Sequence, residues 1–227
     1  MSVTLADVQK QERDALLGEY LYPEGILGNL KASPYAAVPA ISILATTPSA
    51  IRSKHPVVIE PFPGNSTSKG FVQYCPSLGY KFLWLRPEDD DYLTTYKAFL
   101  KRHHGIGHMP KGYDVDHLFN RARASGLGLS FVRMILLKPG ENRSHGAGYE
   151  SSRTKGGIGK TGRERGIDEI MLMKLCGIRS PRKNRPFSPE MAAHMARIAA
   201  LFGMSPLEIE TNIRDLMEVA AFRPAAD

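Results

Sequence analysis

The stretch GYDVDHLFN, Gly112–Asn120, sets two aspartates and a histidine on one short segment with the character of a β-strand. A second apolar run, FVRMILL at Phe131–Leu137, follows after the polar loop FNRARASGLGLS. The glycine-rich stretch GENRSHGAGYE, Gly140–Glu150, then brings an asparagine, a histidine and a glutamate. We therefore predict two strands with a long connection, followed by a polar segment whose side chains complement those of the first strand.

Acids and a histidine on one strand suit the cleavage of a phosphodiester bond. That reaction needs a base that deprotonates water, a divalent cation that stabilises charge on the phosphate, and positive groups that bind the nucleic-acid backbone. Asp114 and Asp116 share one face of an extended strand, whereas His117 leaves from the other face unless the strand bends or ends there. Oxygen ligands from aspartate and asparagine favour Mg²⁺ or Mn²⁺, while a histidine ligand admits Zn²⁺ or Ni²⁺.

The DVDH strand, the loop, the second strand and the Asn142–Arg143 pair together resemble the ββα-metal (His-Me finger) motif of HNH endonucleases. They are most similar to the HNH domain of RNA-guided CRISPR nucleases, and the resemblance covers roughly residues 112–153. It implies one divalent metal ion, Mg²⁺ first, with Asp116 and Asn142 as ligands and His117 as the general base. Arg143, which directly follows that asparagine, is the best candidate for a phosphate clamp among the arginines that flank the site, and the alternative is an ordinary surface charge.

Other branches of the same superfamily suggest two further residues. Glu150 stands eight residues after Asn142, like the glutamate of the non-specific nucleases, which implies that it holds a metal-bound water. His145 lies where the colicin-like branch has a histidine ligand, so either Asn142 or His145 is the implied second ligand. The chain departs from these patterns because it has no second histidine before His117, no glycine pair in the loop and no CxxC zinc knuckle. The structural alternative is that the acids and Asn142 cap turns while His117 is a half-buried, hydrogen-bonded imidazole.

Positive charge is concentrated around this segment. The whole chain carries a net charge of +7, yet between Lys101 and Arg185 there are 18 Lys and Arg against 7 Asp and Glu, and elsewhere 12 against 16. Such a surface suits a polyanion such as nucleic acid, DNA above all. The candidate phosphate contacts, each of which could instead be an ordinary surface charge, are Arg121, Arg123, Arg133, Arg153, Lys155, Lys160 and Arg163.

The chain is predicted to be an α+β protein with a central ββα-metal (His-Me finger) motif, an irregular β-containing N-terminal part and a helical C-terminal cap. The corresponding regions are residues 1–105, 106–166 and 167–227. Clear local signals are a strand at YKFLWLRP, a helix at DDDYLTTYKAFLKRHHG and an N-terminal helix from Thr4 that stops at Gly18. Two C-terminal helices begin at the capping sequences Ser188-Pro189-Glu190 and Ser205-Pro206-Leu207-Glu208.

These features predict a metal-dependent endonuclease of low sequence specificity that hydrolyses DNA or RNA, as a bacterial toxin or effector, or as a mobile-element or defence nuclease. A toxin of this kind would have an acidic immunity or regulatory protein as partner. Two distant cysteines and the lack of a long apolar run indicate the cytoplasm, or export by a specialised secretion system, and no membrane partner. The alternatives are a non-catalytic nucleic-acid-binding or regulatory protein on the same scaffold, and an interaction protein that uses its C-terminal helices.

Overall fold

The structure, a computed structural model, describes residues 3–20, 40–43, 56–77, 79–109, 111–126, 128–150, 164–166, 173–174, 178–180, 186–202 and 205–221. Within these residues the protein is an α+β structure with an antiparallel sheet and several helices, which confirms the predicted class. The strands of this part are β1 (Ala40–Ile43), β2 (Val58–Pro61), β3 (Gly70–Cys75), β4 (Tyr80–Leu85), β5 (Asp114–His117), β6 (Phe131–Leu137) and β7 (Glu164–Gly166). The helices are α1 (Leu5–Tyr20), α2 (Tyr92–His104), α3 (Arg121–Gly126), α4 (Pro139–His145), α5 (Pro189–Phe202) and α6 (Pro206–Ala221), and a π-helical turn, Gly146–Glu150, extends α4.

Strand β6 is the centre of the sheet. The strand order is β2-β3-β4-β6-β1-β7, and β5 pairs with β6 in addition. All seven residues of β6 are buried, as expected for an apolar run with neighbours on every side. The β5–β6 pair runs from Asp114 opposite Leu137 to His117 opposite Met134. The two strands predicted from sequence are therefore confirmed, and their antiparallel register is fixed.

The aromatic residues of β3 and β4 form part of the core, as expected for large rings at strand spacing. The ring of Phe71 stacks on that of Trp84 at a centroid distance of 5.7 Å, and the indole N–H of Trp84 donates a hydrogen bond of 3.0 Å to Gln73. A second apolar cluster lies between the sheet and helices α1 and α2. It includes Val115 of β5 and Leu136 of β6, so the strand with the candidate site is anchored in the core.

Helix α1 supplies a hydrogen-bond acceptor to the sheet. The Leu118 amide donates to the Arg133 carbonyl, so the odd-numbered residues of β6 direct their backbone polar groups toward the β5 side. The Leu136 amide therefore points to the opposite edge, where it donates to the carboxylate of Glu12 at 2.9 Å. The Tyr96 hydroxyl of α2 donates to the other oxygen of Glu12 at 2.7 Å. One buried carboxylate thus joins two helices to the central strand.

Several elements differ in extent from the sequence-based prediction. Helix α1 continues to Tyr20 instead of stopping at Gly18, which is a tolerable position for glycine inside a helix. The loop predicted between the two strands contains the short helix α3, and α4 begins at Pro139 because proline suits the first helical turn. Helices α2, α5 and α6 are confirmed. Pairing of β4 with β6 means that one sheet crosses the boundary predicted at residue 105, and the division into domains stays a prediction.

Gly70 occupies a position in β3 where no side chain fits. A Cβ atom there would overlap the backbone carbonyl oxygens of Trp84 and Phe62. Since paired backbone cannot retreat as a flexible side chain can, we expect Gly70→Ala to lower the free energy of unfolding by about 1–3 kcal/mol in urea titrations. Gly107→Ala is the control, because a Cβ at Gly107 meets nothing within 4 Å. Equal stability of both variants would contradict the expectation.

Candidate functional site

The pleat of β5 sends its polar side chains to two different faces. Asp114 and Asp116 leave from the face that meets α4, as the strand geometry predicts. Val115 and His117 leave from the other face, where Val115 joins the core and the imidazole of His117 meets the ring of Tyr92 edge-on at 5.0 Å. The strand does not bend enough to bring the aspartate and the histidine to one side.

A lysine that the sequence analysis did not single out lies at the centre of the site. The ammonium of Lys174 is 2.5 Å from Oδ2 of Asp116 and 2.6 Å from Oε1 of Glu150. Lys174 is fully buried, at 0 % exposure, and Glu150 is also buried, whereas the side chain of Asp116 is 25 % exposed. The cluster is therefore a buried ion triad with one carboxylate that reaches solvent.

The charge state of Lys174 follows from this geometry. Burial lowers the pKa of the ammonium, but the Asp116 and Glu150 carboxylates outweigh that effect and raise it above its usual value. The lysine is therefore a cation near pH 7. A sequence signal existed in MLMKLC, Met171–Cys176, because a lone charge within an apolar run must be paired if it is buried.

Asn142 and His145, the two candidates for the second metal ligand, both lie on α4 and both have protein partners. The amide nitrogen of Asn142 donates to Oδ2 of Asp114 at 3.3 Å. The Nε2 atom of His145 donates to the backbone carbonyl of Ile178 at 2.8 Å, and the residue is buried. Burial lowers the pKa of His145 to about 4, against the opposing effect of its hydrogen bond, so the imidazole is neutral near pH 7.

His117 is buried and neutral. It is 2 % exposed, and its Nε2 atom is buried without a hydrogen-bond partner. Burial lowers its pKa to about 4; Asp116 opposes this shift, and the charges of Arg121 and Lys174 reinforce it. A buried imidazole is normally satisfied by a partner. The Nε2 atoms of His103 and His104 on α2 are also buried without one, so this feature is not unique to His117.

The ligand set implied by the resemblance does not fit a divalent ion as it stands. Asp116 is paired with Lys174, Asn142 with Asp114, and His145 with a backbone carbonyl. Within the described ranges, no group of three or more His, Cys, Asp or Glu side chains could hold a metal ion. Mg²⁺ therefore stays a prediction from the resemblance. Glu150, which the resemblance implies as the holder of a metal-bound water, contacts the ammonium of Lys174 in this structure.

The candidate phosphate contacts have different surroundings. Arg133 is 1 % exposed, and its guanidinium lies 3.3 Å from the ring centroid of Phe82, so it is buried in this structure and its contact with a phosphate stays a prediction. Arg121 donates to Asp90 and to the Pro87 carbonyl, which fixes it beside α2. Arg123 packs on the ring of Phe119, and Arg143 is exposed on α4. Four further candidates lie outside the described residues: Arg153, Lys155, Lys160 and Arg163.

Comparisons with family models, with curated proteins and with solved structures gave no match for this chain. The likeness to HNH endonucleases accordingly rests on the residues and their arrangement alone. Among the residues that the structure describes, no helix is long and apolar enough to cross a membrane.

Proposed function

We propose that the protein is an endonuclease that hydrolyses phosphodiester bonds in nucleic acid, DNA above all, and that β5, β6 and α4 are a ββα motif of the His-Me finger type. The observation that carries this proposal is the strand–strand–helix order, which sets Asn142 of α4 beside Asp114 of β5. The π-helical turn after α4 brings Glu150 to the same side, where Lys174 links it to Asp116.

In this proposal His117 is the general base. Its neutral imidazole is in the form that can accept a proton from water, and the resulting hydroxide attacks phosphorus in line. The P–O3′ bond then breaks, and the departing 3′ oxygen takes a proton from solvent. Because the imidazole is only 2 % exposed, nucleic-acid binding has to uncover it, and Tyr92 is the side chain to move first. The exposed guanidinium of Arg143, on α4 at the opposite face of β5 from His117, would bind the nucleic-acid backbone beside the scissile phosphate.

Substrate recognition in this proposal is electrostatic. The excess of Lys and Arg between residues 101 and 185 would seat the phosphate backbone, and such contacts carry no base information. Low sequence specificity and affinity that falls steeply with salt are expected. The same basic surface would suit an acidic immunity or regulatory protein, if the nuclease acts as a toxin or effector.

The test is cleavage of supercoiled plasmid by the purified protein, with Mg²⁺, Mn²⁺, Zn²⁺, Ni²⁺ and EDTA in parallel. We expect nicked and then linear DNA, and cleavage only in the metal arms would establish the predicted metal dependence. Cleavage that persists in EDTA would keep the nuclease and exclude the metal requirement. An intact plasmid in every arm, from folded protein that still shifts DNA in a gel, would remove the enzymatic proposal.

A non-catalytic nucleic-acid-binding protein is the second candidate. It is favoured by the protein partners that Asp116, Asn142 and His145 already have, and by the burial of His117. The last outcome of the plasmid test would support it, because binding with a steep salt dependence needs no reactive group.

A further inference from the structure

Tyr92, the first residue of α2, lies against the buried imidazole of His117. The two rings meet edge-on at a centroid distance of 5.0 Å, and Tyr92 itself is only partly buried. No helical turn precedes Tyr92, so its ring escapes the clash that restricts side-chain rotamers inside a helix. Among the described residues the Nε2 atom of His117 has no hydrogen-bond partner, so water that reaches it supplies a missing bond. The ring can therefore turn away from the imidazole at little cost.

Arg121 of α3 holds this ring in place. Its guanidinium lies over the Tyr92 ring, 5.5 Å from the centroid, in a cation–π contact. Two hydrogen bonds of 2.8 Å, one to the Pro87 carbonyl and one to Oδ1 of Asp90, fix the guanidinium at this position. One arginine thus connects the loop before α2 to the ring that lies against His117.

The ion pair between Arg121 and Asp90 is the exchangeable part of this arrangement. The side chain of Asp90 is 92 % exposed and that of Arg121 is 38 % exposed, so solvent and salt screen their attraction. A guanidinium binds a phosphate through two parallel hydrogen bonds, and the phosphate repels a neighbouring carboxylate. A nucleic-acid backbone that reaches Arg121 therefore competes with Asp90 and draws the guanidinium off the Tyr92 ring.

We propose that the Asp90–Arg121 pair is a latch that keeps Tyr92 over His117, and that phosphate groups of nucleic acid open it by taking Arg121 from Asp90. The protein alone keeps its imidazole enclosed, and the bound polyanion exposes it. The use of the exposed imidazole as a general base rests on the proposed function, whereas the latch itself does not. Arg121 and Tyr92 are positioning residues, since they act through His117.

The test measures how fast diethylpyrocarbonate modifies His117, with the exposed His108 as the reference in the same chain and tandem mass spectrometry as the readout. This reagent acylates neutral imidazole nitrogens that solvent can reach. Because a minor open state is populated at about 10 % or less, His117 should react at least about tenfold more slowly than His108 in the wild type. Tripolyphosphate should raise the rate at His117 severalfold and leave His108 unchanged, with NaCl at equal ionic strength as the control for screening.

Two surface variants locate the latch. Arg121→Gln removes both hydrogen bonds and the cation over the ring, so His117 should react about tenfold faster than in the wild type and respond no further to tripolyphosphate. Asp90→Asn weakens only the ion pair and should give a rise of up to about fivefold, the range for an exposed pair. Asp91→Asn is the matched control, because Asp91 is an exposed neighbour whose side chain does not cap α2. Equally slow modification of His117 in all three variants would overturn the proposal.

Variants of the ring itself complete the experiment. Tyr92→Ala should react fast at His117 in every condition, while Tyr92→Phe keeps the ring and should behave as the wild type. If circular dichroism shows that Tyr92→Ala does not fold, Arg121→Gln and Asp90→Asn decide the question. A wild type that does not respond to tripolyphosphate would overturn the latch, and plasmid cleavage by that protein would leave the nuclease standing. The expected modification rates from a protein that leaves plasmid intact would instead refute the nuclease and retain the latch.

Discussion

Replacement of His117 by alanine is expected to lower the rate of plasmid cleavage by about 10²–10⁴-fold, the usual contribution of a general base. The variant should retain the fold and DNA binding, because the imidazole makes an edge contact with Tyr92 and its Nε2 atom has no hydrogen bond to lose. Circular dichroism and gel shifts measure these two properties. His108→Ala is the control, since His108 is exposed and lies nine residues upstream.

The pH dependence of cleavage gives an independent check of the same residue. Burial lowers the pKa of His117 to about 4, so the imidazole is in its base form throughout the range from about pH 5 upward. An unperturbed histidine base, with a pKa near 6.5, would lose most of its activity between pH 7 and pH 5.5. We therefore expect the rate at subsaturating DNA, which reports the protonation state of the free enzyme, to stay level across that interval. Full activity of His117→Ala, or a rate that falls with an apparent pKa near 6.5, would contradict the assigned role.

Replacement of Glu12 by alanine is expected to lower the free energy of unfolding by about 3–5 kcal/mol, a large part of the stability of a typical domain. The change leaves the Leu136 amide and the Tyr96 hydroxyl without their acceptor in the core. Urea denaturation measures the effect, with the fluorescence of the single tryptophan, Trp84, as the probe. Stability equal to that of the wild type would contradict the joining role of Glu12.

Glu12→Gln is the matched variant, and it also tests the protonation of this carboxyl group. Burial raises the pKa of Glu12 to about 7, against the hydrogen bonds from Tyr96 and Leu136 and the charge of Arg133, while the ordinary value is 4.5. Between these two values the folded protein holds a proton that the unfolded chain releases, so stability falls as the pH rises through this window. Glutamine cannot ionise, and Glu12→Gln should exceed the wild type by up to about 3 kcal/mol at pH 8.

The titration of the histidines does not affect the difference in stability between the wild type and Glu12→Gln. His104, His117 and His145 have lowered pKa values in the folded protein, so each takes up a proton at a higher pH in the unfolded chain than in the folded one. These histidines therefore lower the free energy of unfolding as the pH falls below about 6.5. That contribution is common to the wild type and to Glu12→Gln, and it cancels in the difference between their unfolding free energies. A wild type that is the more stable of the two at pH 8 would show that Glu12 is ionised without penalty.

Local sequence patterns were sufficient to predict the strands and helices around the candidate site. The alternation in DVDH and the apolar run FVRMILL predicted β5 and β6, because a strand is recognisable from residues that are neighbours in sequence. The capping box at Ser205 and Glu208 predicted the start of α6, and both of its hydrogen bonds are present. The shared face of Asp114 and Asp116 followed from the period of two residues in any strand.

The partners of the candidate residues could not be predicted in this way. Lys174 meets Asp116 across 58 positions and Glu12 meets Leu136 across 124, and nothing in either local segment specifies the distant one. Arg133 carries a charge that favours the surface, yet its place in the central strand puts its guanidinium against Phe82. Burial of a polar group depends on which elements pack over it.

The sequence by itself determined which side chains are able to do chemistry, the strands and helices that carry them, and the face of the strand that each aspartate occupies. Only the tertiary structure decided that His117 is enclosed beside Tyr92, that Asn142 meets Asp114, and that an ammonium lies between the two carboxylates. The physical reason is one of range. Backbone periodicity and capping act over a few residues, whereas desolvation and ion pairing depend on contacts that exist only after distant segments have packed together.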